Sequence, residues 1–426
     1  SRDSIFAGGG GRSFGLYPGD CGFGRGNLST IDLPEMAETN RTDTEIFDGG
    51  PPLRLEKSLG LIKPNDRRSV QRAVLAVLIV WAPLLVISAI ESLAHAENKL
   101  GSLIVDLTVF SRYLIVVPLF ILAEEWTLRR LGQIARHFID AGLITASDRP
   151  RFDAIVEQAY RLLNSVLVEV LVVVLAYLGV IILMWVFPDQ DIPLWHKAVD
   201  GGRGYSWAGW WHALVSVPVA LVLLLGWLWR ILIWGIFLFR VSRLDLELVP
   251  THPDLVGGLQ FVGLSLRAFL LVTFAISASA AGGVAQRVIY TGASFFSFIY
   301  VIVGVVLLSL LLFVGPVLVF GGKLVEARRR GIIAYGGLAG AVGRQLEKKW
   351  LDYRSSVNEG ALDVQHFSAT TDLYQVVSNV YQMKPFPIDT QDLIALIVVT
   401  LLPFLPALLF EIPLKEILAD LIKVMF

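Results

Sequence analysis

Hydrophobic and polar positions fall along this chain in long blocks. Seven apolar runs, near residues 72–93, 103–123, 165–187, 208–230, 267–287, 294–320 and 392–411, are long enough to cross a bilayer, which takes roughly 20 residues at about 1.5 Å each. Two of the links between them carry a helical period of their own. Leu128, Leu131, Ile134 and Phe138 form one stripe; Phe152, Ile155, Val156, Ala159 and Leu162 form a second after the break at Gly142 and Ser147–Pro150. This spacing predicts a helical hairpin over 124–163, projecting from the membrane. Lys323–Arg330 and residues 338–380 read as further helices before the break at 384–389. After Pro413, apolar residues at Leu414, Ile417, Leu418, Leu421, Ile422 and Met425 predict a C-terminal amphipathic helix.

The expected fold is therefore an all-α integral membrane protein with about seven transmembrane helices, cytoplasmic helical hairpins and that final helix. Its segments are 1–70, a tail; 71–123, spans one and two; 124–163, the hairpin; 164–240, spans three and four; 241–266, a polar loop; 267–322, spans five and six; 323–391, a cytoplasmic helical region; and 392–426, span seven and the last helix. Residues 1–35 are Gly-rich without an apolar period, and the change of character at Met36 marks it as the expected natural start.

Lys and Arg set the expected orientation. They crowd before span one (Arg67, Arg68, Arg72), between spans two and three, between spans four and five (Arg240, Arg243, Arg267) and after span six (Arg328, Arg329, Arg330), while the alternate links are nearly free of them. The positive-inside rule then places the N-terminus in the cytoplasm. Trp207, Trp210 and Trp211 at one end of span four and Trp227, Trp229 and Trp234 at the other read as aromatic belts, with Arg230 snorkelling to the headgroups.

Composition agrees with the pattern: 55% hydrophobic and 17% charged residues, against about 25% charged in soluble proteins, with a mean hydropathy of +0.64. A net charge of −1 gives no bias toward nucleic acid, and a single cysteine, Cys21, excludes an internal disulfide framework and a Cys-rich metal site. No nucleotide, zinc-protease or hydrolase motif occurs, so no catalytic residue, metal or cofactor is expected.

Polar residues inside the spans are then the candidates for function. Arg112 lies within span two, where an unpaired charge costs at least about 2.5–3.5 kcal/mol. Its expected partners are Asp106 and Glu169, either as a structural pair or as part of an ion path. A second candidate is the loop Phe239–Arg267, which concentrates Thr251, His252, Asp254, Gly257 and Gly258. Thr251 and Asp254 have the spacing of a capping box with Pro253 in the first turn, and His252 with Asp254 is a candidate proton-handling or metal pair. Gly257 and Gly258 allow close approach of backbone or of an anionic group. In span five, Ala275, Ser279 and Gly283, with Ala278 and Gly282 beside them, make a small-residue face suited to close packing or to a homo-oligomer.

The segments Arg243–Leu259, Asp148–Phe152 and Leu401–Leu414 resemble a group of uncharacterised bacterial polytopic inner-membrane proteins with a Thr-His-Pro-Asp loop. That resemblance implies a bacterial inner-membrane location and no known activity. From the long polar links and the lack of a catalytic constellation three readings stand: first, a non-catalytic scaffold or sensor presenting cytoplasmic helices to a protein partner; second, a channel or transporter with Arg112, Glu169 and Asp106 along the path and the 239–267 loop as its gate; third, a membrane enzyme using His252 and Asp254.

Overall fold

The computed structural model describes residues 47, 49–51, 69–95, 97–186, 193–198, 204–350 and 365–411. Cys21, Met36 and the amphipathic helix expected after Pro413 lie outside the described residues. In chain order, apart from the six-residue helix Lys99–Ile104, the helices are α1 (Ser69–His95), α2 (Leu107–Asp140), α3 (Arg149–Leu163), α4 (Val166–Trp185), α5 (Trp207–Val241), α6 (Gln260–Ala268), α7 (Leu270–Thr291), α8 (Phe295–Phe313), α9 (Gly321–Trp350), α10 (Gln365–Gln382) and α11 (Thr390–Glu411). Seven of them, α1, α2, α4, α5, α7, α8 and α11, are long and apolar enough to cross a membrane. Among the described residues there is no strand, only isolated bridges between Ile144 and Leu246 and between Lys197 and Tyr205. The protein is an all-α integral membrane protein.

The spans run alternately, so α1, α4, α7 and α11 start at the end where α2, α5 and α8 finish. Most exposed Arg and Lys lie at that end, hereafter the basic end; the other is the far end. Large apolar side chains such as Leu93, Trp185, Tyr300 and Leu311 stand uncovered on the spans, as they must where lipid replaces water.

Every proline inside a span falls where the α-helical ladder changes. Pro83 follows the turn at Trp81; Pro118 and Pro218 follow π-helical turns at Ser111–Val116 and His212–Ser216; Pro316 and Pro403 lie in 3-10 turns at Gly315–Phe320 and Leu402–Phe404; and Pro406 is in the short terminal helix Leu405–Glu411. Proline lacks the N–H and its ring clashes with the carbonyl four residues back, so the ladder widens or tightens beside it.

The hairpin α2–α3 does not project freely. Its two stripes are spent against α5, α6 and the turn before α9: Phe138 and Phe152 are buried with Phe237 and Phe320, and Phe261 meets Phe138 edge-on at 4.8 Å between ring centroids. The sequence pattern names the apolar stripe but not its cover.

Arg230 also departs from expectation. It is 2% exposed and does not reach the headgroups. One of its nitrogens donates to Glu124 Oε1 at 2.8 Å, while Arg72 donates to Glu124 Oε2 at 2.7 Å. Its Nε donates to the Gly49 carbonyl at 3.2 Å, and its face lies over Trp227. A carboxylate shared by two guanidiniums balances most of the cost of burying all three. Trp227 and Trp234 are buried as well, and Trp229 donates to the Leu162 carbonyl, so only Trp207 and Trp210 stand out as an exposed belt on α5.

The small-residue face of α7 is divided. Ala278 and Gly282 pack on α2, where Ser111 Oγ donates to the Ala278 carbonyl at 2.5 Å and a Cβ on Gly282 would meet Ser111 Cβ at 2.5 Å. Only backbone this close to backbone permits that fit. A Cβ on Gly283 would meet nothing within 4 Å, which leaves the Ser279–Gly283 side for lipid or a second copy. Polar bonds tie α11 to its neighbours: Arg267 pairs with buried Asp392, Ser277 Oγ donates to the Thr400 carbonyl, and Glu411 accepts from Ser294 Oγ at 2.8 Å.

Candidate functional site

At the basic end, the loop between α5 and α6 is built around one carboxylate. Asp254 Oδ1 accepts from the backbone N–H of Val256 at 2.9 Å and of Gly258 at 3.1 Å, and Oδ2 accepts from Gln260 N–H at 3.2 Å. Gln260 opens α6, so Asp254 serves loop and helix start together. Thr251 does not cap: no helix begins after it, and its carbonyl accepts from Asn379 Nδ2 at 3.3 Å. The capping-box spacing matched because the polar residues were present, but positive φ at Leu255, Gly257 and Gly258 turns the chain away from a helix and delays α6. His252 Nδ1 lies 2.8 Å from Asp254 Oδ1 and stays partly open to solvent. With three N–H donors already on that carboxylate, the pair braces the loop. Two further bonds dock it on the hairpin tip: Asp245 N–H to Asp148 Oδ2 at 2.8 Å, and Glu247 N–H to the Leu143 carbonyl at 3.0 Å.

The intramembrane candidates are separated. Arg112 is five residues into α2 from the far end, whereas Glu169 is in the first turn of α4 at the basic end, in a shallow dent with Gly50, Pro51, Leu163, Asn164 and Ser165. The two residues lie at opposite ends of antiparallel spans. Asp106 is not paired with Arg112 either. It caps the start of α2 through Thr108 and Val109 N–H and accepts from Trp195 Nε1 at 3.1 Å. Among the described residues no carboxylate stands at ion-pair distance from Arg112.

What surrounds Arg112 is a polar cluster at the far end between α1, α2, α5 and the turn Leu194–His196. The two π-helical turns supply it, one carrying Arg112 and Tyr113, the other His212. His196 Nε2 and His212 Nδ1 are 3.1 Å apart and share a hydrogen bond. Trp195 and Tyr113 meet the His212 ring edge-on, with centroids at 5.2 and 5.7 Å. Arg112 lies beside the Tyr113 hydroxyl and within electrostatic reach of His212. Burial pushes the His196 imidazole from its ordinary value of 6.5 down to about 4, since a low-dielectric surrounding disfavours the charged ring. Above this, Lys99, fully buried, lies 3.6 Å from Glu91 and 3.5 Å from Glu97, and Glu91 Oε1 accepts from Trp207 N–H at 2.8 Å.

Sequence reasoning passed over His196 and His212 because they are 16 residues apart, on different elements, without ligand spacing. The signal available was proline: Pro118 and Pro218 each sit two residues beyond a π-helical turn, and such turns recur at functional sites. Among the described residues no group of three or more His, Cys, Asp and Glu could hold a metal ion. Compared with family models, with curated proteins and with solved structures, the chain matches none.

Proposed function

We propose that this is a non-catalytic component of a bacterial inner membrane, akin to the uncharacterised polytopic proteins it resembles, with a cytoplasmic N-terminus and basic-end helices that engage a cytoplasmic protein partner. The observation that carries this reading is the apolar surface of α9 and α10: Ile333 is 70% exposed, and Leu338, Tyr374, Val376 and Tyr381 are also uncovered, although both helices lie outside the spans. The ionic groups near the basic end favour it too, since Arg72, Glu124 and Arg230 close on one another and Arg267 closes on Asp392. Closed pairs hold helices in place better than they pass ions.

The test is photocrosslinking in cells from positions 333 and 374 of the full-length chain. A discrete adduct from both is expected, and its absence from both would count against the reading. A solute or ion path is the second reading, favoured by the polar cluster at Arg112. Flux in proteoliposomes that disappears in both folded Arg112→Ala and folded Glu169→Gln would replace the first reading with the second.

A further inference from the structure

The far-end cluster holds several buried polar atoms without hydrogen-bond partners, Glu91 Oε2 among them. Among the described residues Trp81 Nε1, Ser88 Oγ, Tyr113 Oη, His196 Nδ1 and His212 Nε2 are buried without a hydrogen-bond partner. They are not scattered. The stretch of α1 from Val80 to Glu91 is laced to the start of α5 by Ser216 Oγ donating to the Val80 carbonyl at 2.6 Å, by Trp211 Nε1 donating to Ile79 at 3.3 Å and by the Glu91–Trp207 bond. Tyr113 and His212 meet across α2 and α5, and His196 joins them from the turn. From Glu91 to Val80 is about 16 Å of helix, so these polar contacts reach roughly half-way into a hydrocarbon layer of about 30 Å. The Ser216–Val80 bond marks their floor.

Counting charges identifies what is missing. Asp106 has spent its oxygens on two backbone N–H groups and on Trp195. Glu91 is engaged by Lys99 and by Trp207 N–H. Arg112, half-buried, is left without a carboxylate among the described residues, and the buried Tyr113 hydroxyl has Arg112 beside it but no acceptor for its own proton. A half-buried cation inside a span, beside a buried hydroxyl whose proton has no acceptor, favours an anionic partner, and a guanidinium edge with a hydroxyl suits an oxyanion or halide.

We propose that this cluster binds a small monovalent anion, of chloride or formate size, at Arg112, with Tyr113 Oη and His212 Nε2 as neutral donors, the His212 ring taking the tautomer in which its Nδ1 accepts from His196 Nε2. The anion neutralises Arg112 inside the membrane and bridges the two π-helical turns, which fixes α2 against α5.

The test is thermal unfolding of the full-length protein in detergent at constant ionic strength, replacing gluconate, too large for the site, with chloride and separately with formate. Wild type is expected to show saturable stabilisation by at least one of the small anions. Arg112→Gln should lose that dependence, Arg112→Lys should keep part of it, and Tyr113→Phe should shift its midpoint several-fold to higher concentration. Should Arg112→Gln fail to fold, the Tyr113→Phe shift decides alone. No saturable dependence in wild type, or the same dependence in folded Arg112→Gln and Tyr113→Phe, overturns the assignment.

Discussion

Glu124→Gln is the most informative single change in the protein. The carboxylate lies 2.7 Å from Arg72 and 2.8 Å from Arg230, and side-chain exposure in the triad is no more than 3%. The amide is nearly isosteric, so packing is kept and only charge is lost. At an effective dielectric near 20 an ion pair at about 4 Å is worth about 4 kcal/mol, and breaking a buried pair from one side costs about 3–5 kcal/mol because the remaining charge stays desolvated. Here two guanidiniums are left facing one another. The expected loss is about 4 kcal/mol, measured by reversible SDS or thermal unfolding in detergent micelles. Glu125→Gln is the internal control: that carboxylate is 42% exposed and pairs with Arg129 at 3.3 Å, so it should cost under about 1 kcal/mol. Replacing all three triad members by Met should restore most of the loss, because no orphan charge remains. A Glu124→Gln protein within about 1 kcal/mol of wild type would refute the view that this triad holds α1, α2 and α5 together.

Other outcomes are equally specific. Asp254→Ala removes the acceptor of three N–H groups and should cost about 1–3 kcal/mol, with faster amide exchange at Val256, Gly258 and Gln260 than in wild type. Gly282→Ala should lower the unfolding temperature, because its Cβ meets Ser111 at 2.5 Å, while Gly283→Ala, with nothing within 4 Å, should not; equal effects would contradict the packing of α7 on α2. His196 is held neutral in the fold down to about pH 4, whereas an unfolded histidine takes its proton near 6.5. Its stabilising share is thus present in full above about pH 6.5 and falls away as the pH drops toward 4, by at most about 3 kcal/mol. His196→Asn should flatten that part of the pH profile in equilibrium unfolding.

The number of spans, their alternation, the ladder changes beside the prolines and the buried stripe of the hairpin follow from local pattern. Twenty apolar residues in a row, or a proline inside them, leave the backbone few ways to satisfy its hydrogen bonds in lipid. The ionic partners do not follow. Glu124 lies 52 residues from Arg72 and 106 from Arg230, and a sequence gives no register between helices. That is why Arg230 reads as a snorkelling residue and Asp106 or Glu169 as a partner for Arg112. The same holds for Asp254, whose role depends on where a left-handed turn sends the chain, and for the histidine pair, which exists only because the turn Leu194–His196 meets the π-helical turn that carries His212. Hydrophobic patterning is written in one dimension because lipid reads each helix separately. Charge pairing inside the bundle is settled only when the helices meet, since each buried charge must find its partner across the space between them.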